Sequence, residues 1–169
     1  TVLTVRAVEM QRLTGLDVSE LMFDTNVRLA TYDFLALETE RELHRMRRYG
    51  NAISAVVVCF TSNGQVYPVF REWPAQMIRD FGTSLTSTLR PLDLVARLDH
   101  SRVGMLLPET DVSGMAAVKQ RLLTLFGEMS ARTRFGQQLT LEWSDASWND
   151  KAVRLEDVLS FFDAQREQP

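Results

Sequence analysis

Apolar residues between positions 90 and 110 fall into two short runs separated by a polar stretch. The runs cover residues 92–96 and 103–107, and strand-like runs on either side of a polar turn predict a β-hairpin whose tip faces solvent. We expect the second strand to end at Pro108, because proline cannot donate to a central ladder. The polar residues at the predicted tip are Asp99, His100 and Ser101.

The rest of the chain alternates between strand-like and helical segments. Residues 53–60 form a nearly unbroken β-branched run, which is typical of a central strand buried on both faces. Residues 139–143 predict a shorter strand, and residues 65–76 read as irregular. This order of elements predicts an α/β sandwich with a mixed sheet of about four or five strands. The helices that the apolar spacing predicts are 24–49, 75–89, 110–132 and 155–168.

The same spacing predicts which helix faces are buried. We expect Thr110 or Asp111 to cap the third of these helices, and Gly50 to end the first. In the first helix a polar face that includes Glu38 lies opposite the apolar residues Leu29, Phe34, Leu37, Leu43 and Met46. In the third helix the predicted buried stripe is Val112, Met115, Val118, Leu122, Leu125 and Phe126.

The length of 169 residues suits one domain with one sizeable core. We expect residues 1–23 to be a helical lead-in or a connector from an upstream domain, and residues 24–169 to be the domain itself. Hydrophobic content of 45% and charged content of 24% are average for a soluble globular protein. The net charge of −3 gives no reason to expect binding to a nucleic-acid polymer.

A single cysteine, Cys59, excludes an internal disulfide and fits a reducing compartment. No apolar run approaches the roughly 18–20 residues that a membrane span needs, so we expect no membrane contact by this segment. The sequence does not start with Met, and we expect no signal peptide. We therefore expect a cytoplasmic segment of a longer protein, which could itself be tethered to a membrane.

The reactive side chains of the sequence give weak candidates for chemistry. Three adjacent residues such as Asp99, His100 and Ser101 do not form a nucleophilic triad, because neighbouring side chains diverge. Cys59 lies in the middle of a strand, where a buried small side chain is the expected role. Two histidines without clustered Cys or Asp predict no zinc site.

Residues 95–110, VARLDHSRVGMLLPET, resemble the signature region of the GGDEF domain, the diguanylate cyclase fold. Val95-Ala96-Arg97 and Leu106-Leu107-Pro108 with Thr110 match in type and spacing. Asp24 falls where the family's opening motif begins, residues 41–50 resemble the end of its first helix, and the segments after 139 resemble its last strand and helix. The resemblance covers roughly 24–169 and implies a GGDEF or nucleotidyl-cyclase sandwich with a mainly antiparallel sheet, from a larger bacterial cyclic di-GMP signalling protein.

The resemblance also implies that this domain is degenerate and not an enzyme. Bulkier residues replace the family's two phosphate-binding glycines, and Ser101 and Cys59 replace its two metal-binding acids. A thiol and a hydroxyl are poor ligands for magnesium, so we expect no metal site, no cofactor and no catalytic residue. The family's guanine-binding Asn and Asp are missing from 64–76, as is its Lys at the end of the last helix. The five degenerate signature positions are Asp99, His100, Ser101, Arg102 and Val103.

One motif of the family is retained. Arg90-Pro-Leu-Asp93 matches the Arg-x-x-Asp of the inhibitory site that binds cyclic di-GMP, and Arg121 falls where the family often supplies a second arginine. The resemblance thus implies a cyclic di-GMP receptor that relays occupancy to other domains or a partner protein. The same motif also arises by chance as a structural contact. The alternative is a module for homodimerisation or partner docking that binds no nucleotide, with the hairpin tip in its contact surface.

Overall fold

The structure is a computed structural model that describes residue 9 and residues 23–24, 29–132 and 139–166. The predicted lead-in over residues 1–23 lies almost wholly outside these ranges and stays a prediction. The strands are β1 (Phe23–Asp24), β2 (Leu29–Ala30), β3 (Ile53–Ser62), β4 (Gln65–Val66), β5 (Leu94–Arg97), β6 (Arg102–Pro108) and β7 (Leu139–Trp148). The helices are α1 (Tyr32–Tyr49), α2 (Val69–Glu72), α3 (Ala75–Thr88), α4 (Val112–Arg132) and α5 (Leu155–Gln165).

All seven strands form one sheet in the order β1-β2-β5-β6-β3-β4, with β7 on the other side of β3. The pairs are antiparallel except for β2 with β5, so the sheet is mixed and mainly antiparallel. Strand β3 is its centre, where Val57 pairs with Gly104 of β6 and with Ser144 of β7. The predicted α/β sandwich is confirmed, and the added strands are two-residue pieces at the sheet margins.

Alternating residues of β3 enter two separate cores, one on each face of the sheet. Val56, Val58 and Phe60 pack with α3 and α4, whereas Ala55 and Val57 pack with α1 and α5. This arrangement confirms the prediction that the β-branched run is buried on both faces. No helix in the described ranges is long and apolar enough to cross a membrane.

Helix α1 begins eight residues later than predicted. Its N-cap is Thr31, whose hydroxyl accepts a hydrogen bond from the N–H of Phe34 at 3.2 Å. The assignment of Leu29 to this helix was wrong, because Leu29 lies in β2 and enters the sheet. The face was also misjudged in part: Leu37 is 51% exposed and Glu38 is buried. Gly50 ends the helix as predicted, with a left-handed φ of 74°.

Three further boundaries differ from the predictions. Strand β7 continues to Trp148 because it pairs with β3 along the whole length of that strand. The region predicted as irregular contains β4 and α2, and Asn63 and Gly64 form the tight turn into β4 with φ values of 52° and 76°. Val112 is 70% exposed rather than buried, since it lies in the first turn of α4 after the Asp111 cap.

Helices α1 and α5 are joined by a polar contact at the edge of their shared core. The hydroxyl of Tyr32 donates to Asp163 Oδ1 at 2.5 Å, and the Arg166 guanidinium lies 4.1 Å from the centre of the Tyr32 ring. Burial, with the hydrogen bond and charge of Asp163, raises the pKa of Tyr32 to about 12.

Candidate functional site

The predicted hairpin is confirmed as β5 and β6, but its tip is only partly exposed, since Asp99 and His100 are half-buried. The carbonyl of His100 accepts from the N–H of Phe70 at 3.1 Å, and the carbonyl of Ser101 accepts from the N–H of Phe60 at 2.9 Å. Helix α2 and the end of β3 therefore contact one side of the tip, and Ser101 is only 1% exposed. The prediction of a solvent-facing turn was therefore only partly right, because residues 65–76 were not expected to pack against one side of the tip.

Side chains at the tip are occupied with one another. Asp99 Oδ1 accepts from the N–H of Ser101 at 2.8 Å, and Asp99 Oδ2 pairs with Arg102 Nη1 at 3.1 Å. Arg97 Nη2 lies 2.9 Å from His100 Nδ1, and its guanidinium lies 5.2 Å from the centre of the Phe70 ring. The tip is thus a closed network of charges and backbone groups.

No contact in the structure supports a catalytic role for Ser101 or Cys59. The hydroxyl of Ser101 is buried without a hydrogen-bond partner in the described part of the chain, so it does not contact His100 as a nucleophile would. Cys59 is buried in β3, as expected of a small core side chain. Over the described residues, no three His, Cys, Asp or Glu side chains are grouped so that they could hold a metal ion.

At the root of the hairpin, residues 90–93 form a β-turn. The N–H of Asp93 donates to the carbonyl of Arg90 at 3.0 Å, and Pro91 occupies the position where a preset φ favours such a turn. The turn brings the two charged side chains together. Asp93 Oδ1 accepts from Arg90 Nη2 at 2.8 Å and Asp93 Oδ2 accepts from Arg90 Nε at 3.2 Å, so the carboxylate is held on two sides.

The Arg90 guanidinium also ties the hairpin root to the segment after β6. Its Nη2 donates to the carbonyl of Pro108 at 2.7 Å and to Thr110 Oγ1 at 2.6 Å. The Nη1 group has no hydrogen-bond partner among the described residues, and the side chain is 35% exposed. Two N–H donors of Arg90 are therefore available to a ligand, whereas the side chain of Asp93 is 0% exposed.

Arg90 and Arg121 line one open cleft of about 390 Å³. Arg121 comes from α4 and makes no hydrogen bond or ion pair within the described ranges. The structure therefore brings together two of the three predicted ligand-binding residues, while Asp93 lies behind Arg90 and does not line the cleft. The other residues of its wall are Asn51, Ala52, Glu109, Thr110, Asp111, Gly114, Ala117 and Val118.

Neither Glu109 nor Asp111 was predicted from the sequence to line the cleft. Glu109 has a left-handed φ of 52°, and its Oε1 accepts from Asn51 Nδ2 at 3.3 Å and from Arg45 Nη2 at 3.4 Å. Asp111 Oδ1 caps α4 by accepting from the N–H of Gly114 at 2.9 Å, which with the Ser113 hydroxyl lowers the pKa of Asp111. Pro108 could have indicated the position of Glu109 from the sequence. It ends β6 beside the start of β3, and this places the next residues near Asn51.

The sheet order and the hairpin define an α/β sandwich of the GGDEF nucleotidyl-cyclase type. Solved structures with this fold include diguanylate cyclase SiaD in complex with its activator SiaC from Pseudomonas aeruginosa, at 18% identity and a TM-score of 0.71 over 95% of this chain. The GGDEF domain of DgcB from Caulobacter crescentus in complex with c-di-GMP matches 85% of this chain and 86% of its own, at 19% identity and a TM-score of 0.63.

A third similar structure is Vibrio cholerae LapD, an S helix-GGDEF-EAL chain bound to c-di-GMP, at 16% identity and a TM-score of 0.62 over 95% of this chain. The present chain spans 63% of the SiaD chain and 36% of the LapD chain. No protein-family model matches the sequence, and no curated protein matches it. The likeness therefore establishes the GGDEF fold.

Proposed function

We propose that this chain is a catalytically inactive GGDEF-type regulatory domain that binds cyclic di-GMP in the cleft between Arg90 and Arg121. The observation that carries the proposal is the position of these two arginines on one cleft, each with N–H donors that no described residue accepts. A guanidinium donates in a planar fork to the O6 and N7 of guanine or to a phosphate. The guanine bases and the phosphates of cyclic di-GMP both offer acceptors to such donors.

The similar structures add support of a different kind. DgcB and LapD carry c-di-GMP in their solved structures, and both are similar to this chain in fold, with TM-scores of 0.63 and 0.62. Fold likeness at this level of identity does not transfer a ligand by itself. It identifies cyclic di-GMP as the first compound to test at a cleft lined by two arginines.

The absence of catalysis is proposed from the tip of the hairpin. Phosphoryl transfer relies on metal ions and on groups that position the phosphates. By the family resemblance Asp99 replaces a phosphate-binding glycine with a bulkier side chain, and Ser101 and Cys59 offer no carboxylate for magnesium. We accordingly propose that the domain needs no metal cofactor and responds to nucleotide by occupancy alone.

Asp93 has a supporting role in this proposal. Its carboxylate is fully buried and accepts from two nitrogens of the Arg90 guanidinium, so it fixes the direction of the remaining Nη1 donors. A side chain held in its binding conformation before the ligand arrives loses less entropy on binding. We propose that Asp93 orients Arg90 and that Arg90 and Arg121 contact the ligand.

Calorimetric titration of the 169-residue chain with cyclic di-GMP tests the proposal. We expect a dissociation constant on the order of micromolar, and a loss of at least about tenfold in affinity in Arg121→Ala. Arg71→Ala removes one exposed positive charge outside the cleft and should bind as the unaltered chain does. No heat at about 50 micromolar ligand would contradict nucleotide binding, and magnesium-dependent turnover of GTP would contradict inactivity.

The second candidate is a module for homodimerisation or partner docking that binds no nucleotide. It is favoured by the burial of Asp93, because an Arg-x-x-Asp pair whose carboxylate is 0% exposed also makes sense as a purely structural clamp. Size-exclusion chromatography with light scattering across protein concentration distinguishes the candidates. A dimer that forms without nucleotide, in a chain that gives no calorimetric signal, would support this reading.

A further inference from the structure

The proposed binding of cyclic di-GMP by Arg90 and Arg121 does not explain the role of Glu109, which also lines the cleft. It is not glycine, yet it adopts a φ of 52°, a left-handed conformation that is strained for an L residue with a Cβ atom. Glycine would adopt the same turn without this strain. A strained glutamate at the edge of a binding cleft suggests that its carboxylate has a use there.

The position of Glu109 relative to Arg90 follows from the contacts on either side of it. Arg90 Nη2 donates both to the carbonyl of Pro108 and to the hydroxyl of Thr110, the residues before and after Glu109 in the chain. The guanidinium and the Glu109 backbone are therefore neighbours. The Glu109 side chain extends from there to Asn51, so its carboxylate lies on the β3 side of the cleft.

The carboxylate of Glu109 has acceptor capacity left. Its known contacts, from Asn51 Nδ2 at 3.3 Å and Arg45 Nη2 at 3.4 Å, are both long and both made by Oε1. Glu109 Oε2 has no hydrogen-bond partner among the described residues, and the side chain is 45% exposed. Asp111 is less suited, because its Oδ1 is taken by the first turn of α4.

We infer that Glu109 reads the base of the bound nucleotide, by accepting from the N1–H and the 2-amino group of guanine while Arg90 donates to its O6 or N7. This inference rests on the proposed binding of cyclic di-GMP and deepens it. A carboxylate accepts from both donors of that edge, whereas adenine offers no matching pair of donors there. The base-reading acceptor of this cleft is thus Glu109, since the carboxylate of Asp93 is closed off by Arg90.

The test compares cyclic di-GMP with cyclic di-inosine monophosphate, which keeps O6 and N7 and lacks the 2-amino group. The unaltered chain should bind cyclic di-GMP at least about tenfold more tightly than the inosine analogue. In Glu109→Gln and Glu109→Gly, affinity for cyclic di-GMP should fall by about ten- to a hundredfold, and the two ligands should bind within about threefold of each other. The matched control is Glu128→Gln, which removes an exposed charge on α4 outside the cleft.

Glu109→Gly also separates a binding role from a structural one. Glycine relieves the strain at this φ, so the melting temperature of the variant should stay level or rise while affinity falls. Unchanged affinity and unchanged preference in both variants would overturn the role of Glu109 and leave the proposed binding intact. Failure of the unaltered chain to bind cyclic di-GMP would overturn both.

Discussion

Asp93 is enclosed by Arg90. Its Oδ1 accepts from Arg90 Nη2 at 2.8 Å, and its Oδ2 accepts from Arg90 Nε at 3.2 Å and from the backbone N–H of Arg90 at 2.9 Å. One residue thus supplies three hydrogen bonds to a carboxylate whose side chain has no exposed surface. The pair closes the turn that leads into β5 and links it to the end of β6.

Removing the arginine should therefore destabilise the fold as well as weaken binding. Arg90→Ala leaves a buried carboxylate with the backbone N–H alone, and we expect a loss of about 3 kcal/mol in the free energy of unfolding. Urea denaturation followed by circular dichroism measures it. Arg121→Ala, at an exposed position without described partners, should stay within about 0.5 kcal/mol of the unaltered chain. A loss below about 1 kcal/mol in Arg90→Ala would show that the pair does not hold the turn.

The network at the hairpin tip gives a second prediction. Asp99→Ala removes the acceptor of the Ser101 N–H and the partner of Arg102, and should cost about 1–2 kcal/mol. Asp99→Gly, the glycine that the family resemblance places there, should cost at least as much without producing any GTP turnover. Unfolding curves and a nucleotide turnover assay check the two parts. A glycine variant as stable as the unaltered chain would mean that the network contributes nothing.

The third prediction concerns the hydroxyl of Ser101, whose removal should not lower the stability of the fold. It is buried without a hydrogen-bond partner among the described residues, a state that costs a polar group about 1–3 kcal/mol. Ser101→Ala removes the hydroxyl and keeps the Cβ atom, so the variant should be level with the unaltered chain or about 1 kcal/mol more stable. A clear loss of stability on thermal melting would reveal a favourable interaction of this hydroxyl.

Because of Tyr32, we expect the free energy of unfolding to fall as the pH rises above 10. The pKa of Tyr32 is raised in the folded chain to about 12 from an ordinary value of 10.0, so above pH 10 the unfolded chain loses this proton first. The stabilisation is fully present below pH 10 and is lost as the pH rises to about 12. Tyr32→Phe should show a smaller decline over this window than the unaltered chain. Urea midpoints at each pH test this; parallel declines would refute it.

The outline of the fold was predictable from short-range patterns. The β-branched run of β3 and the paired runs of the hairpin each carry their own periodicity, and both were confirmed. The start of α1 was not, because the apolar residues between Leu29 and Met46 follow a helical stripe only loosely, and their spacing does not show where the helix begins. The parallel pairing of Ala30 with Ala96 and the antiparallel pairing of β2 with β1 show that the chain enters the sheet before α1 begins.

The candidate site was also predictable only in part. Arg90, Asp93 and Arg121 came from a motif, and the structure places both arginines on one cleft. The burial of Asp93 was not foreseen, because spacing does not show which of two charged residues faces outward. Glu109 was missed because its environment is made by Asn51, a residue 58 positions away in the sequence that the β3–β6 pairing brings close.

Strand β6 separates the cleft, where we propose that a nucleotide binds, from the hairpin tip, which the alternative proposal places in a protein contact surface. It runs from Arg102 beside the hairpin tip to Pro108 beside the cleft, and its seven residues span about 20 Å at the rise of an antiparallel strand. A nucleotide seated against Arg90 and Arg121 would leave the surface around Arg102 and α2 uncovered. If both proposals hold, occupancy of the cleft by a nucleotide would leave the hairpin tip free to contact a protein partner.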